Sequence, residues 1–135
     1  MKSALIDTGP LYSFFDSSDK HAKPVREFLR GYKGRLVTTL AIVTEVSYLL
    51  GDIKPAQLDF IEWVQKGAVE IADVKIQDFA EIHKGMTKCA DTPMDFADAT
   101  LVFIANKLKI PNIITLDDDF RVYRLTGNGK FTYLL

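Results

Sequence analysis

The sequence is poor in the residues that many metal and nucleophile chemistries need. It has one cysteine, Cys89, and two isolated histidines, His21 and His83. A lone cysteine excludes an internal disulfide. Without a Cys/His set, neither a zinc site nor a Cys–His or Ser–His–Asp arrangement is expected. No apolar run reaches about 18 residues, so no membrane span is expected. The first residues carry Asp7 where a signal peptide requires an apolar stretch. These absences predict a cytoplasmic protein in a reducing compartment. There is no glycine-rich phosphate loop; Asp7-Thr8-Gly9-Pro10 is not one. There is no charge excess either. Seventeen Lys and Arg against 18 Asp and Glu give a net charge of −1, which excludes polyanion binding driven by overall charge. Internal repeats, linkers and low-complexity segments are also lacking.

What is present reads as one domain spanning residues 1–135. The length suits a single core, and 47% hydrophobic with 26% charged residues suits a globular chain. The acids are unevenly divided, with 13 Asp and 5 Glu. Asp is a poor helix former that favours caps and turns. In a helix-rich chain, such an excess means either many caps or short, stiff oxygen ligands.

Residues 3–7 read as a buried strand with Asp7 at its C-terminal end, followed by a helix opened by Pro10. A second helix is expected over about 19–33, with Val25, Phe28, Leu29 and Tyr32 as its apolar stripe. Residues 35–38 read as a strand. A mostly buried helix is expected over 40–50, because it is apolar nearly all round. The helix over 54–66 is expected to turn Leu58, Ile61, Trp63 and Val64 inward. A short strand over 69–72 and an amphipathic helix over 76–89 follow. Thr92 reads as the cap of the next helix, with Pro93 at its first position and Asp95 at its third, running to about Leu108. A strand over 112–116, a short helix at 120–123 and a strand near 131–134 complete the chain. Strands alternating with helices predict an α/β fold, in which a central, mostly parallel sheet is covered on both faces. Ligands bind off the C-terminal strand ends of such sheets.

Four acids resist explanation as caps or surface charge. Asp7 ends the first strand, where a cap competes with a role at the ligand edge. Glu45 is the only charged residue from Leu36 to Leu50, on a helix where an unpaired charge is costly. Asp98 lies one turn beyond Asp95, outside the expected cap. Asp117 directly follows the apolar strand over 112–116, while Asp118 or Asp119 suits the cap of the next helix. A parallel sheet would bring all four to one edge. An all-oxygen carboxylate set suits Mg²⁺ or Mn²⁺. Such an ion activates water, neutralises a phosphodiester and stabilises the leaving oxygen, and two ions do this best. A polyanionic substrate also needs cations outside the acid pocket. Lys23, Arg26, Arg30 and Lys33 form one face of the helix over 19–33 and are the candidates.

These residues carry a resemblance. "LIDTGPLYSFFD", "TTLAIVTEVSYLL", "MDFADATLVFIANKL" and "NIITLDDDF", in that order, resemble a PIN-domain ribonuclease of the kind found as the toxin of VapBC toxin–antitoxin pairs. The likeness spans essentially the whole chain. It implies a three-layer α/β/α Rossmann-like PIN domain and Mg²⁺- or Mn²⁺-dependent endonucleolytic cleavage of single-stranded RNA, with one or two ions. It implies a homodimer and inhibition by an antitoxin protein. The family's acidic quartet falls on Asp7, Glu45, Asp98 and Asp117 as catalytic and metal-holding residues, with Asp119 as a fifth. Thr8 and Thr115 match small hydroxyl positions beside the acids. One departure is that the third acid is preceded by Asp95, and the nearest bases are Lys107 and Lys109. The alternative is a solitary PIN-domain protein that binds RNA without effective catalysis. The exposed-looking Phe60 and Trp63 are candidate dimer contacts, set against plain core packing.

Overall fold

The computed structural model describes residues 2–135. Its centre is a five-stranded sheet in the order β3-β2-β1-β4-β5, with every neighbouring pair parallel. The strands are β1 (Ser3–Ile6), β2 (Arg35–Thr39), β3 (Glu70–Ala72), β4 (Asn112–Ile114) and β5 (Thr132–Tyr133). The helices are α1 (Thr8–Phe15), α2 (Ala22–Gly31), α3 (Leu40–Leu49), α4 (Lys54–Gln65), α5 (Phe79–Lys88) and α6 (Phe96–Leu108). The fold is the α/β/α arrangement expected, with a sheet that is wholly parallel. Leu5, Ile6, Val37, Ile113 and Ile114 have no exposed surface, as strands covered on both faces require.

The chain runs from β1 outward through β2 to β3, then returns across the sheet to place β4 on the other side of β1. The order therefore reverses between β1 and β4. The crevice beyond the C-terminal ends of those two strands is where a ligand site forms in an open parallel sheet.

Local chemistry moved several expected boundaries. β4 stops at Ile114, two residues early. The Thr115 hydroxyl accepts the Asp117 N–H at 3.0 Å, so the backbone bends off the ladder there. α1 begins at Thr8, and Pro10 is its third residue, where its missing N–H has no partner to lose. The helix expected over 120–123 is a 3₁₀ turn over Asp118–Arg121. Asp117 caps this turn, accepting the Asp119 N–H at 2.9 Å, and neither Asp118 nor Asp119 does.

Two helix faces also differ from expectation. On α4, Leu58 and Ile61 are exposed and Phe60 is fully buried. Phe60 and Trp63 pack on Phe15 of α1 at ring distances of 5.4 and 5.5 Å. The seam of Ala56, Phe60, Trp63 and Val64 follows the i, i+4, i+7, i+8 spacing of one helical stripe, and docking on those aromatics selects it. Phe60 is thus core, and Trp63 is half-buried against it. α3 is less buried than its composition suggested, with Leu40 at 67% and Tyr48 at 82% exposure. Among the described residues, no helix is long and apolar enough to cross a membrane.

Candidate active site

The backbone of Asp7 continues the β1–β4 ladder by donating to the Ile114 carbonyl at 3.0 Å. Its residue position caps α1, but its carboxylate makes no cap bond. That carboxylate instead accepts the Thr115 hydroxyl at 2.8 Å, tying the ends of β1 and β4 together. Asp7 is only 5% exposed. Burial pushes its carboxyl up to about 6, the Thr115 bond and the Thr8 N–H oppose that rise, and the charges of Asp117 and Glu45 add to it.

Glu45 enters from the middle of α3 and is half-buried. Its carboxylate accepts the Thr8 hydroxyl, so Thr8 holds it against the start of α1. Thr8 and Thr115 are therefore hydroxyl props for two of the acids.

α6 starts later than the sequence suggested. Its cap is Asp95, whose side chain accepts the Asp98 N–H at 2.9 Å, and not Thr92. The Thr92-Pro93 pair lies in the preceding loop. Asp98 is consequently in the first turn, within cap reach and at the positive end of the helix dipole. Ala97, Ala99, Thr100 and Leu101 bury the adjoining face of α6, and the Thr100 and Thr39 hydroxyls meet at 2.8 Å. This packing fixes Asp98 over the sheet edge. Burial raises its carboxyl to about 7, followed by repulsion from Asp7 and Asp95, and Asp117 adds to the rise.

Tyr123 is a member of the site that the sequence did not reveal. Its ring is fully buried, with Phe120 edge-on at 5.0 Å. Its hydroxyl has one proton and two acceptors, the Pro93 carbonyl at 2.8 Å and Asp98 Oδ2 at 2.9 Å. Burial and the neighbouring Asp98 hold the phenol well above its ordinary range, so it remains a donor. The only hint in sequence is an aromatic with a polar tip three residues after Phe120, just past the aspartate run.

Three carboxylates converge. Oxygens of Asp98, Asp117 and Asp119 lie within 4.8 Å of one another. Asp7 stands beside this trio, its charge felt at Asp98, and the charge of Glu45 is felt in turn at Asp7. Burial and the charges of Asp117 and Asp118 keep Asp119 above the usual carboxylate range. Among the described residues, the ion pairs are Arg35–Glu70, Lys66–Glu62 and Arg121–Asp118, so none of the five acids has a Lys or Arg partner. The trio is not compensated by any side-chain cation. Its donors are all oxygens, which fits a hard divalent ion such as Mg²⁺ or Mn²⁺.

The rest of the Asp excess is largely turn chemistry. Asp16 accepts from Tyr12 and Ser18, Asp19 accepts from Ser13 and the His21 N–H, and Asp78 accepts the Lys75 N–H.

Of the basic face expected on α2, Lys33 is turned away from this edge. Lys33 and Gly34 lie beside Lys2, where β1 and β2 begin, at the opposite end of the sheet from Asp7. Arg26 donates its Nε–H to the Phe14 carbonyl at 3.1 Å and so braces α1. Lys23 and Arg30 are exposed on α2.

Comparison with known proteins agrees with this fold. Residues 4–125 match the PIN domain family. The chain belongs to that family. It is 29% identical over 133 residues to Ribonuclease VapC26 of Mycobacterium tuberculosis, covering 96% of this chain and 98% of the relative. The crystal structure of Mycobacterium tuberculosis VapC20, a sarcin-ricin loop cleaving toxin, superposes with a TM-score of 0.81 at 16% identity. That match covers 88% of this PIN domain and 93% of VapC20, and it shows the shared fold.

Proposed function

We propose that this PIN domain is a divalent-metal-dependent endoribonuclease acting on single-stranded RNA, the toxin of a VapBC-type pair in the cytoplasm. The observation that carries the reading is the convergence of Asp98, Asp117 and Asp119 beside Asp7 and Glu45, at the sheet's switch point, with no cation paired to them. The kinship with a protein named as a VapC ribonuclease directs that chemistry to RNA and implies an antitoxin partner.

Asp98, Asp117 and Asp119 would hold Mg²⁺ or Mn²⁺ directly, with Asp7 and Glu45 completing the wall of the site. One or two such ions would activate water for in-line attack and neutralise the phosphodiester. The protein's own task is to aim the carboxylates, whose ionisation burial opposes and a bound cation would favour. Thr115 fixes Asp7, Thr8 fixes Glu45, and Tyr123 leaves the second oxygen of Asp98 free of protein partners. A homodimer is part of the same reading. The exposed Leu40, Tyr48 and Leu49 of α3 supply an apolar surface for it, in place of the buried Phe60.

The direct test is incubation of purified protein with a single-stranded RNA in Mg²⁺, in Mn²⁺ and in EDTA. Cleavage is expected with either ion, with 3′-hydroxyl and 5′-phosphate ends, and none in EDTA. Binding without cleavage in all three would favour the non-catalytic alternative.

Tyr123→Phe keeps the buried ring and removes the hydroxyl. A hydrogen bond to a charged group is worth roughly 1.5–3 kcal/mol. The Mn²⁺ concentration for half-saturation should therefore rise about ten-fold, a change of about 1.4 kcal/mol. Calorimetric titration of Mn²⁺ reads this, and an unchanged affinity would remove Tyr123 from the site's support.

A further inference from the structure

A well-formed cleft lies outside the acid trio. It has a volume of about 970 Å³ and runs between α5 and α6, closed at one side by the segment Val122–Asn128. That volume is at the upper end of ligand clefts, roughly 300–1,000 Å³.

Its walls carry Lys84 and Lys88 from α5, Lys107 from α6 and Arg124 from the closing segment. Lys84 and Lys88 are one helical turn apart, a like-charge arrangement that is unfavourable without an anion. Neither they nor Lys107 belong to an ion pair among the described residues. Lys88 and Lys107 stand in the last turns of their helices, where the dipole retains a cation. Arg124 is anchored by donating Nη1 to the carbonyls of Arg121, Val122 and Tyr123. Two acids also line the cleft, Asp78 and Glu81, and the Asp78 carboxylate is already held by the Lys75 N–H at 2.8 Å. Between the cationic walls, the floor is apolar, made by Ile82, Met94, Val102, Phe103 and Leu125.

The cleft adjoins the acids. Ala99 follows Asp98 on α6 and lines it. Val122 and Arg124 line it as well, and Tyr123 between them bonds Asp98. The loop residues Thr92 and Met94 line it around Pro93, whose carbonyl is the other acceptor near Tyr123. A chain passing over the acid trio would thus meet the cleft on the far side of one side chain.

Cationic walls over an apolar floor suit single-stranded nucleic acid, with phosphates on the rim and bases on the floor. We infer that the α5–α6 cleft is the track that holds single-stranded RNA beside the scissile phosphate, with Lys84, Lys88 and Lys107 on the backbone. This rests on the ribonuclease reading above.

The test measures binding without cleavage. An Asp98→Asn chain in EDTA is titrated against a fluorescent single-stranded oligoribonucleotide at several salt concentrations. Adding Lys84→Ala, Lys88→Ala and Lys107→Ala together should weaken binding at least ten-fold. The log–log salt slope should fall by about 2, at about 0.7 per lost phosphate contact on a single strand. All three lysines are exposed, so the melting temperature should fall by no more than a few degrees, and a thermal scan checks that the variant stays folded. The competing surface is tested with Lys23→Ala, Arg30→Ala and Lys33→Ala, where the change should stay within two-fold. Affinity that survives the cleft substitutions, or is lost instead from α2, overturns the track and leaves the ribonuclease reading standing. It would also leave the cleft to another occupant, such as an acidic segment of a protein partner. A parent chain that binds no RNA at all overturns both.

Discussion

Asp98→Asn should abolish RNA cleavage and leave a protein more stable than the original in the absence of metal. The two effects have one cause. Asp98 is raised to about 7 because burial and the charges of Asp7, Asp95 and Asp117 all oppose its ionisation. Asn removes that charge while keeping an oxygen that can accept the Tyr123 hydroxyl, now bonded at 2.9 Å. The local geometry is therefore retained and the repulsion is lowered. Catalysis loses a charged ligand to the ion, worth several kcal/mol of transition-state stabilisation, or about three orders of magnitude in rate. A cleavage assay alongside a thermal scan reads both. A variant that cleaves at the original rate, or that melts well below the original without metal, would remove Asp98 from the assigned role.

The second large effect is the dependence of stability on pH and divalent ion. Asp7 is raised from 3.8 to about 6 and Asp98 from 3.8 to about 7. Each binds its proton more tightly folded than unfolded. Their contribution to stability is complete below about pH 4 and is lost as pH rises through 6 to 7. The metal-free protein should therefore melt at lower temperature at pH 7.5 than at pH 5. Asp16 and Glu62 are shifted the other way, held low by their hydrogen bonds to Ser18 and Tyr12 and to Lys66. They act only below the ordinary carboxylate range and do not mask this trend. Adding Mg²⁺ replaces the lost protons as the counter-charge. At an ion concentration about 100-fold above Kd, binding adds about 2.7 kcal/mol. For a chain of this size that is a rise on the order of 10 °C at pH 7.5. At pH 5, protons compete for the same carboxylates and the rise should be small. A Mg²⁺ effect equal at both pH values would contradict the assignment.

Much of the fold was legible because its signals are local. β1 and β2 are short apolar runs, and the alternation of strands and helices dictates the parallel sheet. Asp7 and Asp117 stood out because a carboxylate just past a buried strand has few structural uses. The misread details are those where a side chain from elsewhere decides. Thr92-Pro93 has the form of a helix start, yet Asp95 supplies the cap because its carboxylate reaches the Asp98 N–H. The inward face of α4 is chosen by Phe15 on α1, some 45 residues away in sequence. Tyr123 was hidden because a buried aromatic reads as core; here the ring is core and only its hydroxyl reaches the site. The basic residues on α2 cluster in sequence, which says nothing about which end of the sheet each one occupies. Lys33 falls at the end where the strands begin, and Lys84, Lys88 and Lys107, far apart in sequence, line one cleft from two separate helices.

The central claim is that the aspartates at the sheet's switch point form a divalent-ion site. Calorimetric titration of Mn²⁺ into the RNA-free protein, and into the Asp98→Asn protein, tests it most directly. The original chain should bind one or two ions and release protons as it does so near pH 7, and Asp98→Asn should lose that heat. Binding of equal affinity and stoichiometry in both proteins would contradict it.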